Sequence, residues 1–158
     1  HLPEARLSRL IGLPLVGGLV KRRILRGLGL DQVRIAASGS APISPELLAW
    51  FRRLGLELLE GYGMTENIGY SHMVRPGKPL PGSVGQPYDD VACKLGEDGE
   101  VLVKSPAAMQ GYYLEPELTR QAFTADGYFR TGDLGRIDAE GRLTLTGRAK
   151  EIFKTSKG

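Results

Sequence analysis

Three short runs concentrate groups that can act on a ligand: residues 59–67 (LEGYGMTEN), 128–135 (YFRTGDLG) and 147–158 (GRAKEIFKTSKG). Each combines glycines with carboxylate, hydroxyl, aromatic or cationic side chains, a mixture of little use to a packed core. In the first run, Gly61 and Gly63 let the backbone approach a ligand closely, and Tyr62 offers a flat face to a purine. Thr65 can hydrogen-bond a phosphate oxygen, and the Glu66 carboxylate can hold Mg2+ directly or through water. In the second run, Asp133 lies between glycines. That predicts a carboxylate on a tight loop, able to accept two hydroxyl hydrogen bonds from a ribose diol. Taken singly, each run also reads as plain structure: GYGMTE as a turn with a buried tyrosine, TGDLG as a hairpin turn.

Several other chemistries are excluded. Gly61-Tyr62-Gly63 begins like a dinucleotide fingerprint, but Glu66 stands where the third glycine belongs and no Rossmann pattern follows. There is no G-x-x-x-x-G-K-[ST] phosphate loop. His1, His72 and Cys93 have no metal-ligand spacing. Gly69-Tyr70-Ser71-His72 is followed by Met73, so a nucleophile elbow is absent. The single cysteine cannot form an internal disulfide, which fits a reducing compartment.

To position these groups the chain needs loops at the ends of strands. Residues 33–37 (VRIAA) and 56–59 are short β-prone runs. Between them Ser44 is set as an N-cap with Pro45 at the first helical position. Leu47, Leu48, Phe51 and Leu54 follow at helical spacing, and Gly55 closes the helix. Strand, helix and strand predict a βαβ unit whose strands feed the loops SGSAP and GYGMTE, where open sheets bind ligands. Residues 14–28 read as an earlier helix ending near Gly29. Beyond Gly69, Pro76, Pro79, Pro81 and Pro87 punctuate the chain and the pattern turns antiparallel. Residues 91–95 and 100–104 flank Glu97-Asp98-Gly99, and residues 136–138 and 142–146 flank Ala139-Glu140-Gly141, two hairpin signals. A short helix is expected over residues 115–123.

The composition, 41% hydrophobic and 25% charged over 158 residues, is that of a globular domain. Its 22 glycines, against roughly 11 at about 7% usage, call for many turns and close backbone approaches. No apolar run reaches the ~20 residues of a membrane span. The net charge of +3 is uneven, with Lys21, Arg22, Arg23 and Arg26 clustered early and Lys150, Lys154 and Lys157 late. The early cluster is expected to be a solvated helix face; its functional alternative is contact with an anionic membrane, helped by apolar residues 13–20. Aromatic residues are not interleaved with the basic ones, which argues against nucleic acid.

In order and spacing, ASGSAP (residues 37–42), GYGMTE (61–66), YFRTGDLG and GRAKEIFKTSKG resemble the adenylate-forming superfamily of acyl-CoA synthetases, luciferases and peptide-synthetase adenylation domains. The ending EIFKTSKG is most similar to long-chain fatty-acyl-CoA synthetases. The resemblance implies a mixed α/β fold. Residues 1–69 would end a parallel-sheet βαβ subdomain, residues 70–146 would form an antiparallel distorted β-barrel subdomain, and residues 147–158 a hinge to a further domain. It implies that Gly39, Ser40, Ala41 and Pro42 wall the adenine, on which Tyr62 stacks. Thr65 would contact phosphate and Glu66 the magnesium; Asp133 would bind the ribose hydroxyls and Arg148 ribose or phosphate. Lys150 matches the hinge position, and Lys154 a lysine on the face used in thioester formation. Many relatives carry two glycines where this chain has Gly39-Ser40, and aspartate where it has Glu151.

The implied activity is carboxylate adenylation by ATP with Mg2+, followed by thioester formation with CoA. The implied partners are small molecules (ATP, a fatty acid, CoA), in a cytoplasmic protein with peripheral membrane contact as an option. The family's phosphate-holding loop and its acylation lysine fall outside these residues. The chain alone is therefore expected to be inactive, and to self-associate through exposed sheet surface. The rival readings are an adenylation domain loading a carrier protein and a nucleotide-binding module without catalysis.

Overall fold

The computed structural model describes residues 4–14, 16–78 and 80–149. Two helices come first, α1 (Glu4–Gly12) and α2 (Val16–Gly27). The second is the helix expected before Gly29, which takes φ +72°; the first is an addition to the expected elements. They pack closely because Gly17 has no side chain: a Cβ there would lie 2.4 Å from the Ile11 carbonyl oxygen. Along α2, Leu19, Arg22, Arg23 and Arg26 fall at i, i+3, i+4 and i+7 and are all exposed, so three residues of the early basic cluster lie on a solvated stripe while Lys21 is half-buried.

Next come β1 (Ala36–Ser38), α3 (Pro45–Leu54) and β2 (Leu58–Tyr62), the strand–helix–strand order that the sequence predicts. The caps of α3 are those expected. Ser44 Oγ accepts the Leu47 N–H at 3.2 Å, and Gly55 ends the helix at φ +89° with its N–H on the Arg52 carbonyl. Leu48 and Leu54 are buried while Leu47 is 42% exposed. Strand β2 runs past the apolar run, so Gly61 and Tyr62 are strand residues and the loop begins only at Gly63. Strands β3 (His72–Met73) and β4 (Gln86–Pro87) complete a four-stranded sheet of order β1-β2-β3-β4, mixed parallel and antiparallel, with Tyr62 opposite His72.

The remaining strands, β5 (Ala92–Leu95), β6 (Glu100–Lys104), β7 (Phe129–Ile137) and β8 (Leu143–Arg148), form an antiparallel meander in sequential order. A short helix, α4 (Pro116–Ala122), interrupts the β6–β7 connection. Both expected hairpins are present, but β7 extends back to Phe129, so the TGD run lies within a strand. The mixed α/β class therefore holds. Two units cluster separately: one of His1–Ala37 and Ile43–Leu58, which buries Ile11, Leu48, Leu54 and Leu56, and one of Ser38–Pro42 and Leu59–Gly158. The core of the second unit is Tyr62, Val91, Val101, Val103 and Leu143, with Val101 and Leu143 wholly inaccessible.

A tight clamp fixes residues 83–85 against β8. Ser83 Oγ donates to the Leu143 carbonyl at 2.8 Å and accepts the Gly85 N–H at 3.1 Å. The Val84 N–H reaches the same Leu143 carbonyl, and the Leu143 N–H returns to Gly85, both at 2.9 Å. Gly85 adopts φ +83°, a region natural to glycine.

Candidate functional site

Asp133 is presented by an irregularity in the meander. Glu100 of β6 pairs with Leu134, yet Leu102 pairs with Arg130, so β7 carries two more residues than β6 across this step. Residues 131–133, which stand against Val101 alone, bulge out of the ladder; such bulges re-aim side chains. Side chains hold the bulge in shape. Thr131 Oγ1 donates to the Val101 carbonyl at 2.8 Å and accepts the Asp133 N–H at 3.0 Å. Glu100 accepts the Gly132 N–H at 2.9 Å and the Arg130 guanidinium at 3.2 Å, and Gly132 turns the chain at φ +70°. The tight loop expected from the flanking glycines is thus corrected to a bulge inside a strand. Both expose a carboxylate, but the bulge needs Glu100 and Thr131, to which the sequence reading assigned no role.

Two expected site residues meet that carboxylate. Arg148 is directly opposite Asp133 in the β7–β8 ladder, and opposed residues project to the same face. Its Nε donates to Asp133 Oδ1 at 2.7 Å. The Tyr62 hydroxyl donates to Asp133 Oδ2, also at 2.7 Å. The Asp133 side chain is 14% exposed, and each of its oxygens has a second lone pair for a ligand hydroxyl. Burial, with the Asp133 charge beside it, pushes the Tyr62 phenol well above its ordinary range, so it stays a hydrogen-bond donor at neutral pH. The Tyr62 ring is 8% exposed and belongs to the core. In this structure the tyrosine hydroxyl is engaged by Asp133 and little of the residue is accessible.

Gly63 is explained by packing, whereas a Cβ on Gly61 would lie 3.1 Å from Met73 Cε, the movable end of a flexible side chain. Gly39 sits against Gly61, where a Cβ would lie 3.2 Å from the Gly61 carbonyl oxygen. A Cβ on Gly63 would fall 2.5 Å from the Gly69 backbone, which is where the loop turns back on itself. That loop contains a 3-10 turn, Thr65–Asn67, capped by buried Asn67, whose Oδ1 accepts the Met64 N–H at 3.0 Å. Thr65 is exposed and Glu66 half-buried. One Glu66 oxygen, Oε1, accepts the Tyr112 hydroxyl at 2.9 Å. Opposite Tyr62, His72 is 1% exposed; burial holds its pKa down at about 4, so it is neutral at pH 7.

Gly39, Ser40, Ala41 and Pro42 form an exposed loop after β1. Ser40 adopts φ +68°, a left-handed conformation unusual for a side chain of this kind. The left-handed φ supplies a backbone reason for the glycine that the family resemblance leads one to expect at this position. Relief of about 1–2 kcal/mol of left-handed strain, less about 0.4–1 kcal/mol for the freer unfolded glycine, should make Ser40→Gly more stable by roughly 0–1.6 kcal/mol. Equilibrium urea unfolding checks this, and a loss of stability in that variant would contradict it. Lys150 and Lys154, the hinge and thioester-step lysines implied by resemblance, lie outside the described residues.

The Glu66 carboxylate and Thr65 hydroxyl are hard oxygen donors of the kind Mg2+ accepts, and among the described residues no group of three or more His, Cys, Asp or Glu is gathered around a metal position. That suits a cation held by one carboxylate and completed by phosphate and water. Also among the described residues, no helix is long and apolar enough to cross a membrane.

A family model described as AMP-binding enzyme matches residues 14–113. A long-chain-fatty-acid–CoA ligase of Mycobacterium bovis is 40% identical over 140 residues, covering 89% of this chain and 23% of the relative. A sulfoacetate–CoA ligase of Cupriavidus necator is 41% identical over 133 residues, covering 77% of this chain and 26% of its own. MatB from Rhodopseudomonas palustris matches with TM-scores of 0.72 in its apo structure and 0.70 in its ATP-bound one, at 31% and 32% identity. Each covers 84% of this chain and 30% of that one. The chain spans about a quarter of the length of the two curated relatives, 23% and 26%. Since the matched family span takes in more than half of these residues, including the strand–helix–strand unit and the 61–66 run, the chain belongs to the AMP-binding enzyme family.

Proposed function

We propose that the chain is the nucleotide-holding part of an ATP-dependent, AMP-forming acid–CoA ligase. The observation that carries the reading is the Asp133 carboxylate, aimed by a bulge and flanked by the Arg148 guanidinium and the Tyr62 hydroxyl. A vicinal diol brings two donors to one carboxylate, and Asp133 accepts both through its remaining lone pairs. Arg148 adds a cation beside the ribose or phosphate. The adenine wall falls to Gly39, Ser40, Ala41 and Pro42. Thr65 donates to a phosphate oxygen, and Glu66 holds Mg2+ together with substrate phosphates. When bound, the metal neutralises charge on the departing pyrophosphate.

A free carboxylate is a poor electrophile. Transfer of AMP from ATP to the acid gives acyl-AMP and pyrophosphate, and the mixed anhydride then has a good leaving group. Attack by the CoA thiol releases AMP and gives acyl-CoA. The residues of this chain orient the nucleotide so that its α-phosphate faces the acid, a contribution of positioning and charge. The acid is proposed to be a long-chain fatty acid. Support comes from the long-chain ligase relative, which aligns over 89% of the chain against 77% for the sulfoacetate ligase.

The intact ligase carrying these residues is expected to catalyse acid-dependent exchange of labelled pyrophosphate into ATP and, with CoA, to release AMP. A panel of palmitate, malonate and sulfoacetate decides the acid class, with palmitate expected to give the highest kcat/KM. Release of ADP, or exchange that ignores the acid, would overturn the ligase reading. A preference for malonate or sulfoacetate would overturn only the long-chain assignment.

A further inference from the structure

Glu66 is gripped at two points by one segment distant in sequence, residues 105–112. The Met109 N–H donates to the Glu66 carbonyl at 2.7 Å, and the Tyr112 hydroxyl donates to Glu66 Oε1 at 2.9 Å across 46 positions of chain. A third bond ties the same segments together: Ser105 Oγ donates to the Tyr70 carbonyl at 3.0 Å. Tyr112 is itself indexed by α4. Its N–H donates to Thr119 Oγ1 at 2.9 Å, and Thr119 Oγ1 donates in turn to the Glu115 carbonyl at 2.8 Å. Gly111 allows this approach, since a Cβ there would lie 2.8 Å from Thr119 Cγ2. The result is a continuous path from a helix, through a backbone amide and a phenol, to one oxygen of one carboxylate.

The chemistry of that oxygen matters. A carboxylate that binds Mg2+ through one oxygen needs the other held, or the group rotates between mono- and bidentate poses that the small octahedral cation does not tolerate equally. With Oε1 occupied by Tyr112, Oε2 is the oxygen without a hydrogen-bond partner among the described residues. Outer partners of this kind orient metal-binding carboxylates in many sites.

We propose that Tyr112 is a positioning residue, whose hydroxyl fixes the Glu66 carboxylate so that Oε2 would be the oxygen presented to a divalent cation accompanying the nucleotide. This rests on the reading of Glu66 as the metal-holding residue. The proposed role runs through the Tyr112–Glu66 hydrogen bond alone. Removing its hydroxyl should weaken the metal site while leaving the fold intact, because the phenylalanine ring fills the same space.

The test uses the intact ligase with Tyr112→Phe, Glu66→Gln and the double variant. Mn2+ affinity is read by electron paramagnetic resonance in the presence of a non-hydrolysable ATP analogue, and the Mg2+ dependence of pyrophosphate exchange is measured alongside. Tyr112→Phe is expected to weaken Mn2+ binding about tenfold, the low end for losing an outer partner of a metal ligand. The Mg2+ half-saturation of exchange should rise in parallel, and the melting temperature should stay nearly constant. In the Glu66→Gln background the same substitution should have no further effect on Mn2+ affinity. If Glu66→Gln weakens Mn2+ binding but Tyr112→Phe does not, the positioning role is wrong and the metal role of Glu66 stands. If the tyrosine substitution acts equally in both backgrounds, its route does not run through Glu66 and the proposal also fails. Unchanged Mn2+ affinity in Glu66→Gln would remove the metal reading itself.

Discussion

Asp133→Ala in the intact ligase is expected to weaken ATP binding roughly 10- to 150-fold, the equivalent of about 1.5–3 kcal/mol for hydrogen bonds to a charged acceptor. The structure adds a second cost. The Tyr62 hydroxyl, on a residue only 8% exposed, would lose its acceptor, and an unsatisfied buried donor costs about 1–3 kcal/mol in stability. The two effects separate cleanly. Asp133→Ala with Tyr62→Phe should recover much of the stability, because no donor is then stranded, and should recover none of the lost nucleotide affinity. Calorimetric titration with ATP and thermal melts of the single and double variants provide both readouts. An ATP affinity unchanged by Asp133→Ala would take the carboxylate out of the nucleotide site.

Gly85→Ala should cost about 2–5 kcal/mol of stability. The left-handed φ of +83° accounts for about 1–2 kcal/mol of this. The rest, about 1–3 kcal/mol, comes from overpacking, since the new Cβ would lie 2.3 Å from the Met73 carbonyl oxygen. For a chain of this size that corresponds to a fall in melting temperature of roughly 5–20 °C. Gly82 supplies a matched control: it adopts φ +84°, but a Cβ there has nothing within 4 Å. Gly82→Ala should therefore show only the backbone part of the loss. Equal losses in the two variants, measured on the same preparation, would mean that the close approach to Met73 is not what selects glycine.

Local signals were readable in the sequence where the physics is local. Ser44, Pro45 and Gly55 bound α3 because capping is decided within four residues, and the turns at Glu97-Asp98-Gly99 and Ala139-Glu140-Gly141 set two hairpins in the same way. The site was legible as a set of residue types: Tyr62, Asp133 and Arg148, singled out separately, do converge. How they converge was not. The TGD run has the glycine and polar content of a loop, and only pairing with Glu100 and Leu102 of another strand turns it into a bulge. The same holds for Gly63, whose close neighbour is the Gly69 backbone. Tyr112 carried one weak signal, an aromatic beside a glycine just ahead of a proline-led helix. Its bond to Glu66 spans too much chain for spacing to disclose it.

The long reach of the Tyr62–Asp133 bond has a consequence for how the protein is made. The tyrosine leaves the ribosome 71 residues ahead of its acceptor. At synthesis rates of roughly 5–20 residues per second, it waits about 4–14 s before Asp133 exists. Arg148, which grips the other oxygen of that carboxylate, arrives 15 residues later still. Throughout that interval the phenol has to find another partner or stay in water, and the core around Val101 and Leu143 cannot close over it. The Tyr62–Asp133–Arg148 cluster is thus completed in the nascent chain only when β8 docks on β7, and a chain arrested before that strand emerges lacks the guanidinium of the set.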